Sequence, residues 1–220
     1  GMGAVFEVEH RSLRRRLVMK VLREPNRPDL EDRLRLEAQA LAQLSHPHLL
    51  AVVDYGHTPS GRPYLVSERL YGRTLKEELG PTGAVPVHEA ARYATEALSA
   101  LAVAHRAGVV HRDVKLDNLF LCDATEGGAK RIKVIDFGIA KLVGAEGAPA
   151  PVNLSPLEVP TAEGMMVGTP SFMSPEQITN QAIDQRADVY GMGVVLYRLL
   201  TGRNPFICRD LLEYAAAHAS

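Results

Sequence analysis

His111-Arg112-Asp113-Val114-Lys115-Leu116-Asp117-Asn118, followed by Ile135-Asp136-Phe137-Gly138, is the part of the chain whose reading decides the fold. The first stretch places two carboxylates after an arginine and interleaves them with a lysine and a carboxamide. Val109-Val110 precede it and Leu119-Phe120-Leu121 follow it, so the polar residues read as a short loop held between buried segments. Such a loop keeps charge in a fixed place. Phosphoryl transfer needs hard oxygen donors for a metal, a carboxylate to orient the incoming hydroxyl, and a cation near the transferred group. Residues suited to all three tasks occur here.

Two further residues look out of place. Lys20 lies inside the apolar run Leu17-Val18-Met19-Lys20-Val21-Leu22. Glu37 falls on the same face as Leu34, Ala38 and Leu41 of a helix expected over residues 29–44, started by Pro28-Asp29. An unpaired charge on either apolar surface is costly. Pairing Lys20 with Glu37 removes both problems.

In this order, the motifs resemble those of a protein kinase of the eukaryotic-like (Hanks-type) serine/threonine family, which bacteria also carry. The resemblance runs from Gly1 to about Phe206. It implies an α+β, two-lobed kinase-like fold, with a small antiparallel-sheet lobe carrying one helix and a larger, mainly helical lobe. The small lobe would occupy residues 1–67, the hinge 68–72 and the large lobe 73–220, with an activation segment over 136–176. ATP would lie among Gly1, Gly3, Val5, Val18, Lys20, Glu37, Ser67, Glu68, Leu70, Asn118, Phe120 and Asp136. By the same resemblance Asp113 is the base that accepts or orients the substrate hydroxyl. Lys115 steadies the γ-phosphate and favours serine/threonine acceptors, while Lys20 binds the α- and β-phosphates. Asn118 and Asp136 would ligate magnesium, with manganese as an alternative ion. Gly168-Thr169-Pro170 resembles the substrate-docking loop, and Asp188 the buried carboxylate that anchors the catalytic-loop backbone.

The coarse pattern fits that plan. Residues 4–9 and 17–22 read as a hairpin joined by a charged connection over 10–16, and residues 50–55 and 64–67 as two more strands. Residues 88–106 read as a helix with Ala94, Ala97, Leu98, Leu101 and His105 at helical spacing, and 132–135 as a short strand. His105 and His111 are expected in the core, His111 packed against Phe137. The histidines show no metal-ligand spacing. The segment over 143–164 is rich in Gly, Ala, Pro and Ser and reads as mobile. Arg112 marks the kind of family member in which a phosphate on that segment is gripped by a basic residue. Thr161 is the first candidate for that phosphate and Ser155 the second, beside the plainer reading of an unmodified linker.

Length and composition set wide bounds. With 220 residues, 46% hydrophobic and 23% charged, the chain can bury one large core or two small ones. Its net charge of -1 gives no sign of a nucleic-acid or general membrane-surface partner. Cys122 and Cys208 lack disulfide or metal spacing, which suits a reducing, cytoplasmic setting. The apolar helix expected over 189–200 is too short to span a bilayer and carries Arg198. The resemblance leaves an anchor outside this stretch open. It also leaves open the oligomeric state, the substrate and the activating signal.

Departures from the family pattern carry their own expectations. Gly1-Met2-Gly3-Ala4-Val5 resembles the second half of a glycine-rich loop without its first strand and leading glycines, and the chain stops before the family's last helices. A 220-residue piece is therefore expected to be marginally stable and weakly active alone. A buried Glu176 would add to that weakness by lacking its family partner. Val18 stands where alanine is usual, narrowing the adenine pocket slightly. Ser67 stands at a position commonly held by a larger side chain, which should admit bulky adenine-site ligands.

Taken singly these signals are weak: an aspartate before Phe-Gly is often just a turn, and His-Arg-Asp often a solvated loop. Their order carries the reading. An active Ser/Thr kinase acting on protein substrates is the first expectation. A pseudokinase or scaffold module is opposed by the presence of Lys20, Asp113, Asn118 and Asp136. A small-molecule phosphotransferase of kinase-like fold is opposed by the peptide platform from Gly168 to Glu176.

Overall fold

A computed structural model describes residues 3–22, 35–36, 38–80, 83–124, 128–137, 170–179, 181–209 and 211–219. The first half is a four-stranded antiparallel sheet in the order β1-β2-β4-β3. Its strands are β1 (Gly3–His10), β2 (Arg15–Leu22), β3 (Val52–His57) and β4 (Pro63–Glu68). The β1–β2 connection is shorter than the sequence pattern suggests, because Arg15 and Arg16 belong to β2 opposite His10 and Glu9. Arg16 also reaches Glu7 at 3.2 Å, and opposite charges on neighbouring strands extend a ladder that hydropathy alone would end.

Helix α1 is described at residues 35–36 and 38–42. Ala38 and Leu41 are buried on it, as their shared face requires, and Leu17 and Val66 are buried in the neighbouring sheet. β4 extends one residue past the expected boundary, since Glu68 pairs with Leu17 of β2. That leaves Arg69 to Tyr71 as the link between β4 and the strand that begins at Gly72. Arg69 ties it together by stacking on the Tyr71 ring, 4.6 Å from its centroid, and pairing with Glu7 of β1 at 3.2 Å.

A second antiparallel sheet opens the larger half: β5 (Gly72–Thr74), β6 (Leu119–Cys122) and β7 (Arg131–Val134), in the order β5-β6-β7; β7 is the strand expected over 132–135, one residue earlier, whereas β5 and β6 were not expected. Gly72 therefore belongs to β5 rather than to the hinge. Its φ is +135°, and a Cβ there would lie 2.2 Å from the Leu121 carbonyl oxygen, so only glycine lets the two strands approach. Thr74 starts α2 (Leu75–Leu79) with a reciprocal capping box to Glu77.

Helix α3 (Val87–Arg106) buries Ala90, Ala94, Ala97, Ala100, Leu101 and Ala104. Small side chains along that stripe let β7 and α5 (Arg186–Thr201) come close. Leu98, expected with the core, is 39% exposed because it sits about a quarter turn away from the alanine stripe. In α5, Arg198 is buried and donates to the Gly80 carbonyl at 3.1 Å and the Gly83 carbonyl at 2.9 Å, closing the end of α2. No described helix is long and apolar enough to cross a membrane. The short α4 (Pro175–Ile178) and α6 (Leu211–Ala219) complete the described elements, with Tyr214 of α6 bonded to Ser171 at 2.9 Å. Glu176 is only half-buried, so the full cost of an enclosed unpaired carboxylate does not arise. Cys122 and Cys208 are free thiols.

Candidate active site

Strand register assembles the roof of the cleft. Val5 lies opposite Lys20, Lys20 opposite Leu65, and Val18 opposite both Glu7 and Ser67. Directly paired residues share a face and faces alternate along a strand, so Val5, Val18, Lys20 and Ser67 all project to one side of the sheet, with Gly3 two residues before Val5 on β1. Lys20 identifies that side as the cleft by reaching Asp136, in the other half of the molecule, with Nζ 2.8 Å from Oδ1. Val5 is 64% exposed on this open roof. Ser67 is buried between Val18 and Val52. If this face receives the adenine base, as the sequence resemblance implies, Ser67→Met is expected to weaken a bulky adenine-site ligand by about tenfold, ~1.4 kcal/mol. Unchanged affinity in a direct titration would count against that.

The floor is β6 and β7. Leu119 and Leu121 are buried beneath it, whereas Phe120 is half-buried opposite Lys133. Lys133 shares the face of Phe120 and reaches up toward the four-stranded sheet, donating to Glu68 Oε1 at 2.7 Å and the Leu49 carbonyl at 3.0 Å. Glu68 Oε1 also accepts the Ala51 amide at 2.8 Å. The Glu68 side chain, expected among the nucleotide contacts, is thus spent on a strut between the two halves. Leu70 is half-buried in the hinge beside it.

The polar loop lies at the mouth. Asp113 Oδ2 accepts from Lys115 Nζ at 2.9 Å and from Asn118 Nδ2 at 3.1 Å; Asn118 Nδ2 also donates to the Asp113 carbonyl at 2.7 Å. With its nitrogen directed at Asp113, Asn118 presents its Oδ1 on the other side. The Ile135 amide donates to the Asn118 carbonyl at 3.0 Å and brings Asp136 alongside. Lys20, the Asp113–Asn118 loop and Asp136, three places far apart in the chain, therefore converge on one cleft.

The loop is held by its backbone. Asp188, at the start of α5 and 1% exposed, accepts the His111 amide at Oδ2 and the Arg112 amide at Oδ1, each at 2.8 Å. His105 is not a plain core residue: its Nε2 lies 2.6 Å from the same Oδ2. Gly191, one turn further along α5, lets the helix touch Val114, which a Cβ would meet at 3.0 Å. His111 is fully buried against Phe137, ring centroids 4.6 Å apart. Its Nε2 donates to the Ile135 carbonyl at 3.0 Å and its Nδ1 accepts the Asp113 amide at 3.2 Å. That pattern defines one neutral tautomer, and burial pushes its pKa down in the same sense. Arg112 and Asp136 both have positive φ, +62° and +52°, so the loop and the aspartate are strained where the chemistry would occur.

A family model, the protein kinase domain, matches residues 1–218. The chain belongs to the protein kinase family. Among curated relatives, this kinase domain is similar to the serine/threonine-protein kinase Pkn1 of Myxococcus xanthus, with 40% identity over 221 residues covering 99% of this chain and 30% of that protein. It is similar to the serine/threonine-protein kinase PknA of Mycobacterium tuberculosis, 37% identical over 224 residues, 99% of this chain and 48% of the relative. Serine/threonine-protein kinase PknL of the same species is 40% identical over 184 residues, 83% of this chain and 41% of the relative. The chain thus spans less than half the length of these relatives.

Kinase-domain residues expected in the site also include Gly1, Glu37, Thr161, Ser155 and the Gly168-Thr169 pair, which lie outside the described residues. Lys133 went unnoticed in the sequence because, unlike Lys20 within its apolar run over 17–22, it stands in a short strand with a second cation, Arg131, directly after Lys130. Gln177 was likewise passed over, although Ser174-Pro175-Glu176-Gln177 has the spacing of a capping box.

Proposed function

We propose that this domain transfers the γ-phosphoryl group of ATP to serine or threonine hydroxyls of protein substrates. The observation that carries the reading is the convergence of Lys20 and Asp136, 2.8 Å apart, with the Asp113-Lys115-Asn118 cluster across a single cleft. Asp113 orients the incoming hydroxyl and takes its proton as the new bond forms. Lys115, bound to Asp113, holds positive charge where the transferred group passes. Lys20 anchors the nucleotide's inner phosphates, and Val5, Val18, Ser67, Leu70 and Phe120 enclose its base.

Family membership implies ATP and a divalent ion in general terms. The donor set fits magnesium or manganese: Asn118 Oδ1 and the carboxylate of Asp136 are hard oxygens, two in number, leaving coordination positions for water and phosphate oxygens. Bound there, the ion would neutralise charge on the phosphates.

Lys115 and the names of the relatives favour Ser/Thr acceptors, and the α4 platform following Ser174 favours polypeptides over small molecules. Phosphorylation of Thr161 or Ser155, gripped by Arg112, and a cytoplasmic setting belong to the same proposal. Labelled ATP with a generic basic protein tests it, followed by identification of the phosphorylated residues. Lys20→Met should lower transfer on the order of 10²-fold, as for removal of one charge-stabilising donor, with little effect on folding because its ion pair is partly exposed. Label on tyrosine or on small alcohols alone, or full activity in Lys20→Met, would reject the reading.

A further inference from the structure

The two peptide units that meet at Arg112 are each gripped by one side chain from outside the loop, Asp188 on the His111–Arg112 peptide and Gln177 on the Arg112–Asp113 peptide. The Arg112 amide is held by Asp188 at 2.8 Å, and its carbonyl accepts from Gln177 Nε2 at 2.7 Å. Both gripping residues are buried, Asp188 at 1% and Gln177 at 9% exposure. Gln177 Oε1 accepts the Ser174 amide at 3.0 Å, which fixes the end of the carboxamide that donates. Arg112 stands at φ +62°, a conformation a non-glycine residue keeps only when its surroundings hold it. Turning the Arg112–Asp113 peptide plane, the one Gln177 holds, would swing the Asp113 side chain, because Asp113 supplies the next backbone atoms.

We propose that Gln177 is a positioning residue for Asp113, its amide donor locking the Arg112–Asp113 peptide and linking the aspartate's setting to α4. The link rests on the kinase reading above. It makes α4 more than a shelf for the substrate: the oxygen of Gln177 caps the helix while its nitrogen holds the catalytic loop. A shift of α4 would therefore be felt at the reacting hydroxyl.

Gln177→Glu separates the two roles, since it keeps an oxygen for the Ser174 amide and loses the donor to Arg112. Gln177→Met removes both at similar volume. In the full chain both variants should lower kcat by about 10- to 100-fold, the scale of a small misplacement at a reacting centre. The KM for ATP should stay within about twofold, because the nucleotide contacts lie elsewhere, and the Asp113 amide should exchange faster with solvent. Wild-type kcat in Gln177→Glu would reduce Gln177 to a helix cap and overturn the proposal, as would a fall in kcat matched by an equal rise in KM. Exchange is read without substrate, so a wild-type chain that transfers no phosphate would sink the kinase reading, while unchanged exchange in Gln177→Glu would separately sink the positioning role. Gln177→Asn, which keeps the amide one methylene short, serves if the other variants do not fold: faster exchange at Asp113 supports the link and unchanged exchange overturns it.

Discussion

Asp113→Asn should abolish most phosphoryl transfer while leaving the fold and nucleotide binding in place. The substitution preserves shape and keeps an oxygen near Lys115 and Asn118, but under the proposed function it removes the group that would accept the hydroxyl proton. A positioned general base contributes about 10²–10⁴-fold, and Lys115, 2.9 Å away, also loses its counter-charge. Nucleotide affinity should change little, because Lys20 and Asp136 form their own pair at the other side of the cleft. The measurement is single-turnover transfer at saturating ATP, alongside a direct nucleotide titration. Activity within a few-fold of wild type would remove Asp113 from the chemistry.

The largest loss of stability is expected from Asp188→Ala. Its carboxylate accepts the His111 and Arg112 amides and meets His105 Nε2 at 2.6 Å, in a site with 1% exposure. Each buried donor left without an acceptor costs about 1–3 kcal/mol, so two amides and an imidazole together remove several kcal/mol. That is a large share of the ~5–15 kcal/mol that holds a typical domain folded. The variant should lose cooperative unfolding or show a much lower denaturant midpoint. Asp188→Asn should be milder, since its remaining oxygen can still accept from the His111 amide and His105 while its NH₂ group faces only the Arg112 amide. A midpoint close to wild type in Asp188→Ala would mean that the loop backbone finds other partners, and the anchoring role would fall.

The two predictions differ in how their residues were legible. Asp113 stands in a polar run between apolar segments, and its neighbours in the sequence are also its neighbours in space: Lys115 and Asn118 both reach it. Local order sufficed there. Asp188 was visible as a carboxylate entering an apolar helix, but its bond to His105, 83 positions away, was not. Leu98 was misplaced because several apolar residues share the helical period in α3, and the buried stripe is centred on the alanines with Leu101, about a quarter turn from Leu98.

From sequence alone came the identity of the charged residues that could not stand unpaired, the strands and helices that carry them, and the kind of chemistry they suit. Such information is local, because a lysine in an apolar strand is anomalous whatever lies across from it. The tertiary structure decided the partners. Strand register turned Val5, Val18, Lys20 and Ser67 to one side, packing of the two halves set Lys20 against Asp136 across 116 positions, and β7 brought Lys133 up to Glu68. A charge's need for a partner is written in its own surroundings, but which partner meets it depends on long-range geometry that no short stretch of chain encodes.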